Sequence, residues 1–466
     1  MQSPEDYTSG ICFYKIKQKF KMGSKMENLK HKNGNFSSAF GFVIACVGSA
    51  VGLGNIWLFP YRLGQYGGAA FLIPYLLFVF LFGLVGLSAE FAIGRRAGTG
   101  TIGSYEYCYE SRNKKKVGSV VGWLPLFGSL GIAIGYAIIL GWVLKFFASS
   151  ITGEIISTQP ETIFSGITGN FGSIPWHVII VVAVTLVLLS GVTKTIEKLS
   201  KVLMPLFFVL FLGIAIYVST IDGAAQGYKF LFVPEWEKLL DIETWIMAMG
   251  QAFFSLSITG SGMIVYGAYL NKNEDIPSAS IKTAVFDTIA ALLSSLVIMP
   301  AVFAFGISPA SGPSLIFLTL PKVFSQMPFG RGIAIIFFVC VLFAGITSLI
   351  NMFEAVIESA QHKLKLDRRV CALICGAITL AVGIFLESEK NVGSWMDFIT
   401  IIIVPLGAVL GAVSVYYVLG FNKIKDELET GRKKPLIKAF KPLAKYVYVP
   451  LTVIIFILGI VYNGIG

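Results

Sequence analysis

Asp287 sits in an apolar stretch spanning about residues 279–306, and no lysine or arginine lies one or two helical turns from it. An ionised carboxylate among hydrocarbon is costly and needs a partner. A bound cation is the economical explanation; a protonated aspartate serving structure alone is the alternative. Two other stretches carry chemistry in their backbones. Residues 48–55 read GSAVGLGN, three glycines within seven residues and then Asn55. Residues 254–267 read FSLSITGSGMIVYG, with Gly260 and Gly262 among Ser255, Ser257, Thr259 and Ser261. Glycine is a poor helix former, and a helix that unwinds away from water frees amides and carbonyls that a buried ligand can satisfy. Other chemistries are thinly provided. His31, His177 and His362 lie near the ends of apolar stretches or in loops, and no nucleophile has a base beside it, so an enzyme is not indicated. Cys371 and Cys375 stand one helical turn apart without a histidine or carboxylate partner, too poor a set for a metal.

The elements that position these groups must be membrane helices. Of 466 residues 55% are hydrophobic and 14% charged, with a mean hydropathy of +0.76, more apolar surface than a soluble domain can cover. Eleven apolar stretches, long enough to cross a bilayer at about 20 residues each, fall near 38–63, 69–94, 118–149, 176–192, 199–220, 243–270, 279–306, 331–361, 369–386, 395–420 and 444–463. None alternates as a transmembrane β-strand would, so the chain reads as an all-α integral membrane protein. The net charge of +11 is distributed as a membrane orientation signal rather than as a nucleic-acid surface. Seven lysines precede Gly34, and basic clusters follow the second, fourth, eighth and tenth stretches, whereas 150–175 has no basic residue and 221–242 is net acidic. The positive-inside rule puts the basic ends and the amino terminus in the cytoplasm. Eleven crossings then leave the carboxyl terminus outside the plasma (inner) membrane. Residues 1–36 lack an apolar core segment and read as a cytoplasmic tail rather than a secretory signal.

The two glycine-broken stretches are the first and the sixth. That spacing predicts two five-helix repeats of opposite orientation, 37–220 and 243–420, joined by an outer loop over 221–242 and followed by a cytoplasmic loop and an eleventh helix in 421–466. Gly48 and Gly52 alone would fit a helix-packing face of small residues. Two interrupted segments at matching positions point instead to the binding site of a secondary transporter.

At this level the stretch GSAVGLGNIWLFPYRLGQYGGAAFLIPY, residues 48–75, resembles the first-helix signature of the neurotransmitter:sodium symporter family. AEFAIGRR (89–96), GQAFFSLS (250–257), DTIAALLSSLVIMPAVFAFG (287–306) and FAGITSLINMFE (343–354) resemble it too, and eleven crossings are similar to its prokaryotic branch. The resemblance implies a LeuT-like fold with discontinuous helices 1 and 6, and alternating-access symport of an amino acid with two sodium ions. By the same resemblance one sodium site would use Ala50, Asn55, Ser255 and Asp287, and the other Gly48, Val51, Ala344, Thr347 and Ser348. Hydroxyls such as those of Thr347 and Ser348 otherwise often bond their own helix. The substrate carboxylate would meet the amides of Leu53 and Gly54 at a helix start and the hydroxyl of Tyr136. The carbonyls of Ala50, Phe254 and Ser255 would face the ammonium, with Ser257 also in the binding set. Ile132, Phe254, Gly260, Leu349 and Met352 would surround the side chain, and Gly260, standing where a relative has a bulky aromatic, would make room for tyrosine, phenylalanine or tryptophan. A branched-chain amino acid is the alternative. Asp287 stands where the family more often has Asn, and Ala291 removes a hydroxyl one turn on, so transport is expected not to need chloride.

Several positions depart from the family pattern. The outer gate keeps its acid, Asp397, but has Leu58 where a cation is usual; Arg62, one turn further, is the substitute, with Phe254 also gating. At the cytoplasmic side Phe36, Asn33 and His362 replace the usual Trp, Arg and Asp, while Tyr269 is kept; Lys32 and Glu358 are candidate latches. Thr195 replaces a glycine that nine intervening residues separate from a proline, here Pro205. Glu90 is either hydrogen-bonded near Ser255 or proton-linked. A channel would want a continuous polar lining in several helices, and a sensor an output domain. A proton-driven transporter of the same fold is the strongest competitor, although it would usually lack hydroxyls such as Thr347 and Ser348.

Overall fold

The computed structural model describes residues 35–190, 193–306 and 315–464. The first apolar stretch becomes two helices, α1 (Ala39–Ala50) and α2 (Gly54–Gln65), which meet at 58°. Then come α3 (Ala69–Ala97), the short α4 (Thr101–Glu110), α5 (Lys115–Thr152), α6 (Ile174–Leu189) and α7 (Thr193–Ser219). The sixth stretch is again two pieces, α8 (Ile242–Ser255) and α9 (Gly262–Ala268). The remaining crossings are α10 (Ile276–Ala304), α11 (Gly330–Leu364), α12 (Arg368–Leu386), α13 (Glu389–Glu429) and α14 (Phe440–Val461). Eight of these helices are individually long and apolar enough to cross a membrane, and the α1–α2 pair makes a ninth crossing. The shorter α6 and the interrupted α8–α9 occupy the other two apolar stretches.

The helix ends follow from local chemistry. Ser38 caps α1 by accepting from the Gly41 amide at 3.0 Å, and Asp241, Asp275 and Asp367 cap α8, α10 and α12 in the same way. Left-handed Gly98 and Gly153 close α3 and α5. Gly420, at φ +93, interrupts α13 and turns its last residues, Phe421–Glu429, into a separate amphipathic segment. Large apolar side chains such as Leu77, Phe80, Val209 and Ile216 point outward, as lipid-facing residues do. Inside, α1 is packed against α7, α10 and α11, and α11 lies along α5. Both helix breaks are thus enclosed by protein, the condition under which non-helical backbone is tolerated at membrane depth.

Candidate functional site

After Ala50 the chain turns extended at Val51 (φ −68, ψ 111) before re-entering α2. Several of the polar groups released there have partners. The Gly52 amide donates to Asn55 Oδ1 at 3.1 Å, and the Leu53 amide to the Tyr136 hydroxyl of α5 at 2.8 Å. The Ser348 hydroxyl of α11 lies 3.4, 3.0 and 3.1 Å from the carbonyl oxygens of Gly48, Ser49 and Val51. A Cβ on residue 52 would stand 2.4 Å from the Tyr136 oxygen and 2.8 Å from the Ser348 oxygen. Here glycine is required by close approach.

Asp287 is fully buried on α10. One carboxylate oxygen accepts from Asn55 Nδ2 at 2.8 Å and the other from the Ser255 hydroxyl at 2.6 Å, while Asn55 Nδ2 is also 3.1 Å from the Ser255 oxygen. Three of the four residues expected around one sodium ion, Asn55, Ser255 and Asp287, are therefore in mutual contact, and Ala50 lines the adjoining cavity. Among the described residues no basic side chain pairs with Asp287. The second expected set also converges. Thr347 donates to the carbonyls of Phe343 and Ala344, both at 3.0 Å, the back-bonding open to a helical hydroxyl, and the missing Cβ of Gly48 faces Thr347 at 3.2 Å. Ser348, one residue on, reaches across to the α1 break instead. Carbonyls, hydroxyls, an amide and one carboxylate are the donors suited to a hard cation.

Beside these groups lies a cavity lined by Ala50, Gly54, Ile132, Tyr136, Phe254, Ser255, Ser257 and Met352 of the expected binding set. Leu53, Gly260 and Leu349 do not line it. Leu53 contributes only its amide, taken by Tyr136. Gly260, at φ +72, gives its amide to Glu90 Oε1 at 2.8 Å, and its carbonyl accepts from the Tyr105 hydroxyl at 3.2 Å. A Cβ there would run into the Gly407 carbonyl oxygen at 2.5 Å, so the position faces packed backbone and is not the source of extra room. The inward face of α11 is Ser348, Asn351 and Met352, at i, i+3 and i+4, which turns Leu349 into the packed interior. Glu90 sits behind the α8–α9 break rather than near Ser255, and its Oε2 has no partner among the described residues. Ser129 and Asn351, together with Thr400 and Val404 of α13 and Ile455 and Gly459 of α14, line the cavity without having been expected to.

The two ends of the bundle differ from expectation. Arg62 is buried but points to α8, donating to the Met247 sulfur at 2.6 Å, while Asp397 is exposed on α13. Among the described residues the two form no ion pair, the Arg62 guanidinium being engaged by Met247 instead; Leu58 adds no charge. At the other end Phe36 is buried and packs edge-on against Phe42 and Tyr266, with its amide 3.2 Å from the Tyr269 carbonyl. The Tyr269 hydroxyl donates to Glu354 Oε1 at 2.7 Å, and Arg368 grips both Glu354 oxygens at 3.0 and 2.5 Å. This clamp was missed; its signal was a further carboxylate in an apolar stretch, Glu354, that needed a cation. Glu358 accepts from Thr99 at 2.9 Å and His362 lies 3.7 Å from Glu106, so neither joins the clamp. Lys32 and Asn33 lie outside the described residues. α7 is helical through Thr195 and Pro205.

The model of the sodium:neurotransmitter symporter family matches residues 33–166 and 159–464. The sodium-dependent transporter YhdH of Bacillus subtilis is 32% identical over 444 residues, covering 91% of this chain and 97% of that protein. A sodium-dependent transporter of Haemophilus influenzae is 31% identical over 452 residues, at 91% and 97% coverage. The crystal structure of MhsT in complex with L-phenylalanine is similar with a TM-score of 0.81 at 31% identity, over 92% of this chain and 100% of that one. Matched along nearly its whole length by relatives of this kind, the chain belongs to the sodium:neurotransmitter symporter family.

Proposed function

We propose that the protein imports a hydrophobic or aromatic L-amino acid together with two sodium ions, without chloride, by alternating access. Membership of the family makes it a sodium-coupled multi-pass membrane transporter and not an enzyme; the substrate, the ions and the residues are the proposal. Its main support is the contact of Asp287, Asn55 and Ser255 beside a cavity that also receives the α1–α2 break. A carboxylate there offsets cationic charge that an uncharged side chain would leave to an anion, which is why chloride is not needed. The bound L-phenylalanine of MhsT, a protein of similar fold and sequence, agrees with an apolar substrate. In this reading Ala50, Asn55, Ser255 and Asp287 hold one ion, and Gly48, Val51, Ala344, Thr347 and Ser348 the other. The ion beside Asp287 also faces the substrate carboxylate, so each solute raises the affinity for the other. Residues 37–220 and 243–420 act as the two inverted repeats, 221–242 is extracellular, and 421–466 holds a cytoplasmic loop and the last crossing. The end bearing Phe36, Tyr269 and the basic loops faces the cytoplasm of the cell whose plasma membrane holds the protein.

The test is uptake of labelled phenylalanine, tyrosine, tryptophan and leucine into proteoliposomes with sodium or choline outside, and with chloride or gluconate as anion. Uptake that needs sodium and persists in gluconate is the expected result. Uptake driven by a proton gradient with choline outside would replace this reading by proton coupling, and collapse in gluconate would remove chloride independence.

A further inference from the structure

The basic residues of the end that carries the lysine-rich loops are not alike. Arg95 pairs with Glu427, Lys115 with Glu110, Lys201 with Glu197, Lys363 with Glu106 and Arg368 with Glu354. The segment that joins α13 to α14 departs from this pattern. From Thr430 to Gly466 the chain has no aspartate or glutamate, yet Arg432, Lys433, Lys434, Lys438, Lys441 and Lys445 crowd into residues 432–445. Among the described residues Arg432 alone of these has an acidic partner, Asp275 at 2.9 Å. Lys433, Lys434, Lys438 and Lys441 are exposed.

The segment is fastened to the bundle. Arg432 ties it to the residue that caps α10, the Leu436 amide donates to Glu429 at the end of α13 at 3.2 Å, and the Thr430 carbonyl accepts from Arg95 at 3.2 Å. At Gly431, φ +82, a Cβ would come within 2.6 Å of the Glu274 carbonyl oxygen, so glycine lets the turn lie this close to the loop before α10. Like charges held together on a fixed backbone repel one another, and an anion relieves them.

Their surroundings are those of a bilayer edge. Lys441 and Lys445 stand at i and i+4 at the start of α14, whose exposed Ile454, Ile457 and Ile460 continue outward-facing toward the other end. The Lys445 ammonium lies 4.5 Å from the centre of the Tyr417 ring, and the Tyr417 hydroxyl donates to the Lys445 carbonyl at 2.7 Å. Tyr446 is 69% exposed, and Ile437, between Lys434 and Lys438, is 55% exposed. Lysines mixed with exposed tyrosines in this way mark a membrane–water interface.

We infer that residues 433–445 form a binding site for the head groups of anionic phospholipids, with Lys433, Lys434, Lys438 and Lys441 holding the phosphate and the acyl chains lying along the outward face of α14. Lysine clusters beside a membrane helix take such lipids with a strength that grows with each charge. Free phosphate offers the same anion, but the exposed Ile437, Tyr446 and α14 isoleucines next to the lysines suit a ligand with apolar chains. The site lies outside the central cavity and depends on no choice of substrate or ion.

Thermal unfolding of the full-length protein in neutral detergent, with phosphatidylglycerol, phosphatidylcholine or inorganic phosphate added, tests this. Phosphatidylglycerol is expected to raise the Tm by several degrees over phosphatidylcholine, an increment that about 1 M salt removes. A variant with Lys433→Gln, Lys434→Gln, Lys438→Gln and Lys441→Gln should unfold as wild type does in phosphatidylcholine and need about tenfold or more phosphatidylglycerol for the same rise. Lys438→Gln with Lys441→Gln alone should need about threefold more, and reads the site even where the quadruple variant fails to fold. Lys114→Gln with Lys115→Gln and Lys116→Gln, which strips a basic patch at the start of α5, should keep the wild-type response. An undiminished response in the variants of residues 433–441, an equal loss in the α5 variant, or a rise given as fully by phosphatidylcholine or inorganic phosphate overturns the inference.

Discussion

The two helix breaks meet the same problem, backbone polar groups at membrane depth, in opposite ways. The first is short, Val51–Leu53, and its partners are Asn55, Tyr136 and Ser348, the last two of which line the cavity. The second is longer, Leu256–Ser261, with Ser257 and Gly260 at φ +53 and +72, and it is braced from behind by Glu90, Tyr105 and Thr101. The groups holding the first break are those that would have to let go for ions and a carboxylate. The bracing of the second leaves Ser255 and Ser257 facing the cavity on a backbone held by other elements. One break is built to exchange partners and the other to keep them.

The sharpest test of that contrast is Asp287→Ala. It leaves Asn55 and Ser255 without their acceptor, and sodium-driven uptake should fall about 100-fold or more; Asp287→Asn should recover part of it only when chloride is present. Gly52→Ala comes next, because its new methyl collides with Tyr136 and Ser348. Overpacking of this kind costs about 1–3 kcal/mol, and the apparent sodium affinity measured by scintillation proximity should drop about tenfold. Glu90→Ala strips the acceptor from the Gly260 amide and should lower thermal stability by about 1–3 kcal/mol with sodium affinity nearly kept; a loss of affinity as deep as that of Asp287→Ala would erase the distinction between the breaks. Tyr136→Phe removes the partner of the Leu53 amide and should raise the substrate KM about tenfold with kcat less affected. Arg62→Ala should change uptake least, within about twofold, since Arg62 meets Met247 and not Asp397.

Much of this was legible before any coordinates. Asp287 in an apolar stretch needed a partner, the family resemblance implied Asn55 and Ser255 as its neighbours, and glycine runs marked both breaks. The failures have physical causes as specific. Gly260 was assigned to the pocket by its position in the chain, but unwound backbone has no periodicity that says where a side chain would point. Leu349 missed the cavity because a helix turns about 100° per residue, which puts Asn351 and Met352 on the inner face in its place. The expected Arg62–Asp397 pair supposed a direction for a long flexible side chain that spacing cannot supply. Glu354 and Arg368 belong to different stretches, and only the turn between α11 and α12 brings them together. Gly459 gave no sign at all, since a single glycine in an apolar helix is ordinary until its neighbours are known.

The Glu354 clamp bears on how tightly the two solutes are tied to each other. On the alternating-access reading proposed above, opening that end breaks the bonds from Tyr269 and Arg368 and returns both charges to water, at a net cost of about 3 kcal/mol. A protein at rest would then spend on the order of one part in a hundred with that end open. On the same reading, slippage, the passage of an ion without its companion, would be held down by that fraction. Strict stoichiometry in such a machine is a matter of rare excursions, governed by three hydrogen bonds that touch neither ion nor substrate.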